Sequence, residues 1–158
     1  MPCLIKTCKA CLLDRGMAEA NGKPKVGRSA RLLGVRLGID IDIEEIPKDW
    51  LDDQGYLRPE AERKATATGE VVVIAVRSTK GMSTSLSIES LPAFRRPTAF
   101  GGMGRDPLLQ IEDSKIGGVL EAVQDSATHV SIRPRVTMLL EKYETALANT
   151  QNDWERVS

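Results

Sequence analysis

The chain holds one histidine, His129, within the stretch Thr128-His129-Val130-Ser131-Ile132. An imidazole there can act as a general base or hydrogen-bond a sugar hydroxyl. A lone histidine on an apolar strand is more often structural. A second run able to do chemistry is Lys80-Gly81-Met82-Ser83-Thr84-Ser85. Its three hydroxyls suit a ribose, and Gly81 lets a ligand approach the backbone. Read blandly, the same run is a polar edge strand after a turn. Nucleophilic triads fail on supply: each would need His129 as its base, and no G-x-S-x-G elbow presents a serine. The segment Gly101-Gly102-Met103-Gly104 is no dinucleotide fingerprint. Pro107 stands where the third glycine of G-x-G-x-x-G has to pack closely, so a turn is the expected role. No Gly-Lys-Ser/Thr occurs, which excludes a P-loop.

Cys3, Cys8 and Cys11 form a C-x4-C-x2-C cluster with no further cysteine. Cys8 and Cys11 have the spacing of half a zinc site, but only Cys3 and His129 remain to complete four soft ligands. An odd number of cysteines crowded at one end is also a poor disulfide framework. Reduced thiols and no metal are the expectation.

Acids and bases balance at 22 each, so no global field draws the chain to nucleic acid or an anionic membrane. Locally the charge is segregated. Residues 1–36 carry eight Lys and Arg against Asp14 and Glu19, whereas residues 37–62 carry nine acids against Lys48 and Arg58. Two solvated segments that attract each other would account for this. The sharper alternative places part of the basic block around a phosphate-bearing ligand. No stretch approaches the ~18 apolar residues of a spanning helix. Met1 to Leu13 contains no continuous apolar core of a secretory signal.

The elements that must carry these residues can be sketched. Leu4-Ile5 seeds a short strand, and Ala10 to Ala20 reads as a poor helix ended by the Asn21-Gly22 turn. Ile39, Ile41 and Ile43 alternate with acids as in an exposed edge strand or an extended segment. Residues 47–69 read as a polar surface insertion. Val71 to Val76 is the clearest buried strand, a β-branched run too short for a helix. Leu108 to Ile111 and Thr128 to Ile132 read as strands, the latter closed by Pro134. A final helix spans about Thr137 to Asn149 with Leu140, Tyr143 and Leu147 on one face, and Trp154 docks the tail. Strands with scattered helices make an α+β domain.

Taken in order, several pieces together resemble a known family. They are Lys25-Val26-Gly27, Leu33-Gly34-Val35-Arg36, Asp40-Ile41, Lys80-Gly81-Met82-Ser83, Leu91-Pro92, Asp125, His129-x-x-Ile132-x-Pro134, Met138, Tyr143, Leu147 and Trp154. The family comprises small proteins related to the second exported effector toxin of the bacterial type VI secretion system, and is similar in fold to ADP-ribosyltransferases. The match is best from Lys80 to Trp154, and its most specific piece runs from Asp125 to Met138.

The resemblance implies one ADP-ribosyltransferase-like toxin domain over residues 1–158, with a split mixed or antiparallel sheet around a cleft for NAD. NAD would be the substrate, with no metal, no membrane and no nucleic acid. A macromolecular target and a cognate immunity protein would be the partners. The protein would be cytoplasmic, exported by a contact-dependent system that needs no signal peptide. Transferases of this fold open with a strand bearing an arginine, often in a Leu-Tyr-Arg setting, whose nearest counterpart here is Leu4-Ile5-Lys6. Lysine keeps the charge but loses the two-pronged grip on phosphate, which Arg36 would supply. Ser83 and His129 would position the ribose, with Gly81, Thr84 and Ser85 beside it. His129 stands where many such enzymes carry a glutamate, and it brings no negative charge to an oxocarbenium-like state. Either the chemistry differs from the glutamate-dependent enzymes, or the protein is a binding module of the same fold. A zinc-stabilised interaction domain built on the cysteines is the third reading.

Overall fold

In the computed structural model, which describes residues 11–63 and 69–157, the chain is a small α+β structure of mostly antiparallel strands with one α-helix among the described residues. The strands are β1 (Leu12–Gly16), β2 (Glu19–Ala20), β3 (Lys23–Pro24), β4 (Asp42–Pro47), β5 (Val71–Val76) and β6 (Met82–Ser85). Then come β7 (Leu108–Glu112), β8 (Leu120–Gln124), β9 (His129–Pro134), β10 (Met138–Leu139) and, after helix α1 (Leu140–Ala148), β11 (Glu155–Arg156). A six-stranded sheet runs β11-β7-β1-β6-β9-β8, a three-stranded one β10-β5-β4, and β2 and β3 form a hairpin.

One apolar core joins the two larger sheets. Leu13, Ile111, Leu109, Met82, Val130 and Ile132 supply it from the long sheet, Ala75 from β5, and Leu140, Tyr143 and Leu147 from α1. The buried face of α1 is the 3.6-residue stripe expected from the sequence. Tyr143 does more than fill space. Its hydroxyl donates to the Ile132 carbonyl at 2.7 Å and accepts from the Met82 N–H at 3.3 Å, pinning β6 to β9 beside Ser83. Trp154 is fully buried, with its indole N–H on Thr150 Oγ1.

β5, β7, β9 with its terminal Pro134, and α1 lie close to their expected places. Three expectations need correction. Residues 12–16 form a strand, not a helix, and it is an interior strand of the long sheet. Only the turn signal was sound: Asn21 and Gly22 both take positive φ and close the β2–β3 hairpin. β5 is less buried than its apolar run suggests, with Val71 60 % exposed, because its N-terminal half pairs only with the edge strand β4. The isoleucine alternation at 39–43 largely precedes β4, where Ile41 is fully buried and Ile39 59 % exposed. Leu4-Ile5 lies outside the described residues. Residues 47–69 connect β4 to β5, and Gly55 and Leu57 bond backbone groups of Leu139 and Thr137.

The basic and acidic blocks do not simply clasp each other. Arg36 pairs with Asp40 across them, but Arg28 pairs with Glu144 and Arg31 with Asp106. Cys11 is disulfide-bonded and 1 % exposed, so the expectation of reduced thiols fails there. Cys3 and Cys8 lie outside the described residues.

Candidate active site

Strand register builds a polar row across the long sheet. Asp14 of β1 stands opposite Gln110 of β7 on one side and Ser85 of β6 on the other. Ser85 in turn stands opposite His129 of β9. Alternation puts these side chains on one face, with Ser83 and Ser131 two residues along. Their apolar neighbours go to the core. Thr84, between the two serines, points away and donates its hydroxyl to the Val130 carbonyl at 2.9 Å.

β1 and β6 share a single register pair, Asp14 with Ser85. Beyond it Arg15 bridges the gap: Nη1 donates to the Ser83 carbonyl at 2.8 Å and Nη2 to the Leu32 carbonyl at 2.9 Å. One guanidinium thus ties β1, β6 and the 29–34 loop together. Arg15 is 7 % exposed and its Nε has no partner. Burial pulls its pKa down to about 10, against the opposing field of Asp40, so it stays charged at neutral pH.

A cavity of about 470 Å³ opens at this junction, within the size range of small-molecule sites. Its lining brings together Asp14, Arg15, Ser83, Ser85 and His129 with Arg36, Asp40, Phe94 and Arg95. Gly16 makes this closure feasible. A Cβ there would lie 2.8 Å from the Arg95 carbonyl oxygen, so only glycine lets that segment approach. A larger hollow of about 770 Å³, bordered by Lys48, Asp49, Asp52 and Arg58, contains none of the residues singled out in the sequence.

The charges around the cavity differ in how they are held. Arg36 grips Asp40 through Nε at 3.0 Å and Nη2 at 2.9 Å, which raises its own pKa. Burial opposes the Asp40 charge, but the bonds from Arg36 outweigh it and keep that carboxyl below its usual range. Arg95 has its guanidinium 5.2 Å from the Phe94 ring centroid and no carboxylate partner among the described residues. His129 Nδ1 meets Asp125 Oδ1 at 2.5 Å, and Ser131 and Arg133 bond the other oxygen at 2.9 and 3.4 Å. Burial again works against the Asp125 charge, and the bonds from His129 and Ser131 more than offset it. An ionised carboxylate only accepts, so Nδ1 carries a proton, and in the neutral imidazole Nε2 is the nitrogen that holds the lone pair. Asp14 behaves oppositely. Burial drives its pKa up to about 6, partly checked by a 2.6 Å bond from Gln110 Nε2 and reinforced by the charge of Glu89.

A model of the Tse2 ADP-ribosyltransferase toxin family matches residues 15–154. The chain belongs to that family. No curated protein and no solved structure gives a significant match.

For this Tse2-family chain, the cavity gathers Ser83, Thr84, Ser85, Arg36 and His129, all named from the sequence. Gly81 is not among its lining residues. A Cβ there would lie 2.5 Å from the Ile132 carbonyl oxygen, so the close β6–β9 contact by itself requires a glycine at this position. Lys6 lies outside the described residues and outside the family match, which opens on Arg15. Arg15 is what the sequence reading missed. Leu13-Asp14-Arg15-Gly16 carries the Leu-x-Arg setting sought at Leu4-Ile5-Lys6. It was hidden by reading residues 10–20 as a helix. Asp14 and Arg95 were also missed, and no motif flags either.

The family implies NAD as substrate. Among the described residues no three His, Cys, Asp or Glu side chains converge as a metal would need. A Cys11 sulfur held in a disulfide offers no thiolate to zinc.

Proposed function

We propose that this chain is an NAD-dependent ADP-ribosyltransferase toxin whose NAD cleft is the 470 Å³ cavity between β1, β6 and β9. The observation that carries the reading is the register that sets Ser83, Ser85 and His129 on one face of the sheet, with Arg15 filling the gap where β1 and β6 stop pairing. A ribose needs several hydroxyl partners in fixed positions, and this face offers the Ser83 hydroxyl, an imidazole and a lone pair of Ser85, whose O–H is donated to the Ser87 carbonyl at 2.7 Å. The pyrophosphate needs cations. Arg95, which has no carboxylate partner among the described residues, is better placed for that than Arg36, whose two-pronged edge is already engaged by Asp40. Arg15 is a positioning residue, since both of its Nη atoms donate to backbone carbonyls. His129, oriented by Asp125, presents Nε2 to a ribose hydroxyl or to the acceptor's proton. The toxin would act in the cytoplasm of a target cell, delivered by a contact-dependent route and held in check by an immunity protein.

Nicotinamide release from NAD, measured with purified wild type and His129→Ala, tests the assignment. Release by the wild type, reduced about 100-fold in the variant, is the expected result. Binding of NAD without release would leave a binding module of the same fold. Absence of both binding and release would end the NAD reading.

A further inference from the structure

Breaking the nicotinamide–ribose bond leaves positive charge on the ribose, and His129 cannot answer it with a negative one. Two carboxylates line the cavity, Asp14 and Asp40. Asp40 is neutralised by the two-pronged grip of Arg36. Among the described residues Asp14 makes no ion pair and accepts one side-chain hydrogen bond, from Gln110, although it is only 3 % exposed. Asp125 is outside the lining and already bonded by His129, Ser131 and Arg133. A buried carboxylate without a cation is costly to fold around, and such groups concentrate where charge has to be stabilised.

Resting on the NAD reading above, we propose that Asp14 is the catalytic carboxylate of this site. Its place in the polar row sets it beside Ser85, one strand further from His129, so that a ribose held by Ser83, Ser85 and His129 lies against it. Gln110 fixes one carboxylate oxygen and leaves the other free for the substrate. In the reaction the bond from ribose C1′ to the nicotinamide ring nitrogen breaks, and its electron pair leaves with neutral nicotinamide. The Asp14 charge stabilises the cationic C1′. A lone pair of the acceptor then bonds to C1′, and the acceptor's proton passes to His129 Nε2. The glutamate that many such enzymes place on the late strand is thus replaced by an aspartate from the opening strand.

Around Asp14 lie Gln110 of β7, Ser85 of β6 and Glu89 of the 88–90 turn, and the cavity lining adds Arg15, His129, Arg95 and the Arg36–Asp40 pair. Asp14 has to be ionised to act, so turnover should fall about tenfold per pH unit below about 6.

The test compares wild type with Asp14→Asn, which keeps shape while removing charge. Nicotinamide release, NAD affinity by calorimetry and melting temperature are measured on the full chain. Wild-type release, with kcat lost about 100-fold or more in Asp14→Asn and NAD affinity within about threefold, is the expected result. Wild-type release with full kcat in Asp14→Asn overturns the role of Asp14 and leaves the NAD reading standing. A wild type that neither binds NAD nor releases nicotinamide overturns both. The wild-type pH profile is a second, variant-free reading. The acid limb near pH 6 should persist in the residual activity of His129→Gln, and a limb that disappears there belongs to His129 and counts against Asp14.

Discussion

Two aspartates flank the polar row of the long sheet, and they are held in opposite ways. Asp125, at the turn between β8 and β9, takes bonds from His129, Ser131 and Arg133, and its carboxyl stays below the ordinary range. Asp14, on the interior strand β1, has one amide donor, no cation and a pKa pushed up to about 6. One residue type thus serves two ends. At the β9 end the charge is spent inside the protein, orienting an imidazole. At the β1 end it is kept unspent, facing a cavity, and the fold bears the desolvation.

The two should therefore respond to substitution with opposite signs. In Asp14→Asn the activity loss is the largest effect, and it comes with added stability. A carboxyl whose folded pKa is raised stabilises the protein below its unfolded value, near 3.8, and loses that contribution as pH rises through about 6. The variant should gain roughly 1–2 kcal/mol above pH 7, discounted from the full linkage value because the cavity admits solvent. The gain should vanish near pH 4. Denaturant melts at both pH values check this.

Asp125→Ala should cost about 1–2 kcal/mol at pH 7, because it strips bonds from His129 and Ser131. The sign here is reversed. A depressed carboxyl contributes stability above its unfolded pKa and loses it as pH falls through the folded one. Wild type and variant should accordingly converge in acid. A stability gain at neutral pH would erase the contrast with Asp14.

Gly16→Ala sharpens the picture from the far wall of the cavity. Its Cβ would press on the Arg95 carbonyl at 2.8 Å, so the segment bearing Phe94 and Arg95 has to retreat. NAD affinity should weaken by roughly tenfold, equivalent to about 1.4 kcal/mol, with a smaller change in kcat. A change in kcat alone would place that wall away from the substrate.

Much of this was legible in the sequence. β5, β7, β9 and α1 announce themselves through apolar runs and a helical stripe, and in β7 and α1 burial follows residue polarity. The hydroxyl-rich Ser83 to Ser85 run and His129 stood out as chemistry on otherwise plain strands. β1 did not, and the reason is physical. Its centre is Asp14-Arg15, two charged residues buried to 3 and 7 % exposure, so polarity and burial disagree where the strand matters most. No alternation rule finds a strand whose core-side arginine is satisfied by backbone carbonyls from two other segments. At Gly81 close strand packing is enough to require the glycine, a need that the sequence around it does not display. Arg95 and the cavity wall at 90–95 come from long-range folding, which local spacing does not encode.

The claim beneath all of this is that NAD sits between β1, β6 and β9. Titrating NAD into isotopically labelled protein and following backbone amide resonances addresses it directly. Shifts centred on Asp14, Ser83, Ser85, His129 and Arg95, saturating together, are the expected result. No shifts, or shifts confined to the hollow bordered by Lys48, Asp52 and Arg58, would contradict the assignment.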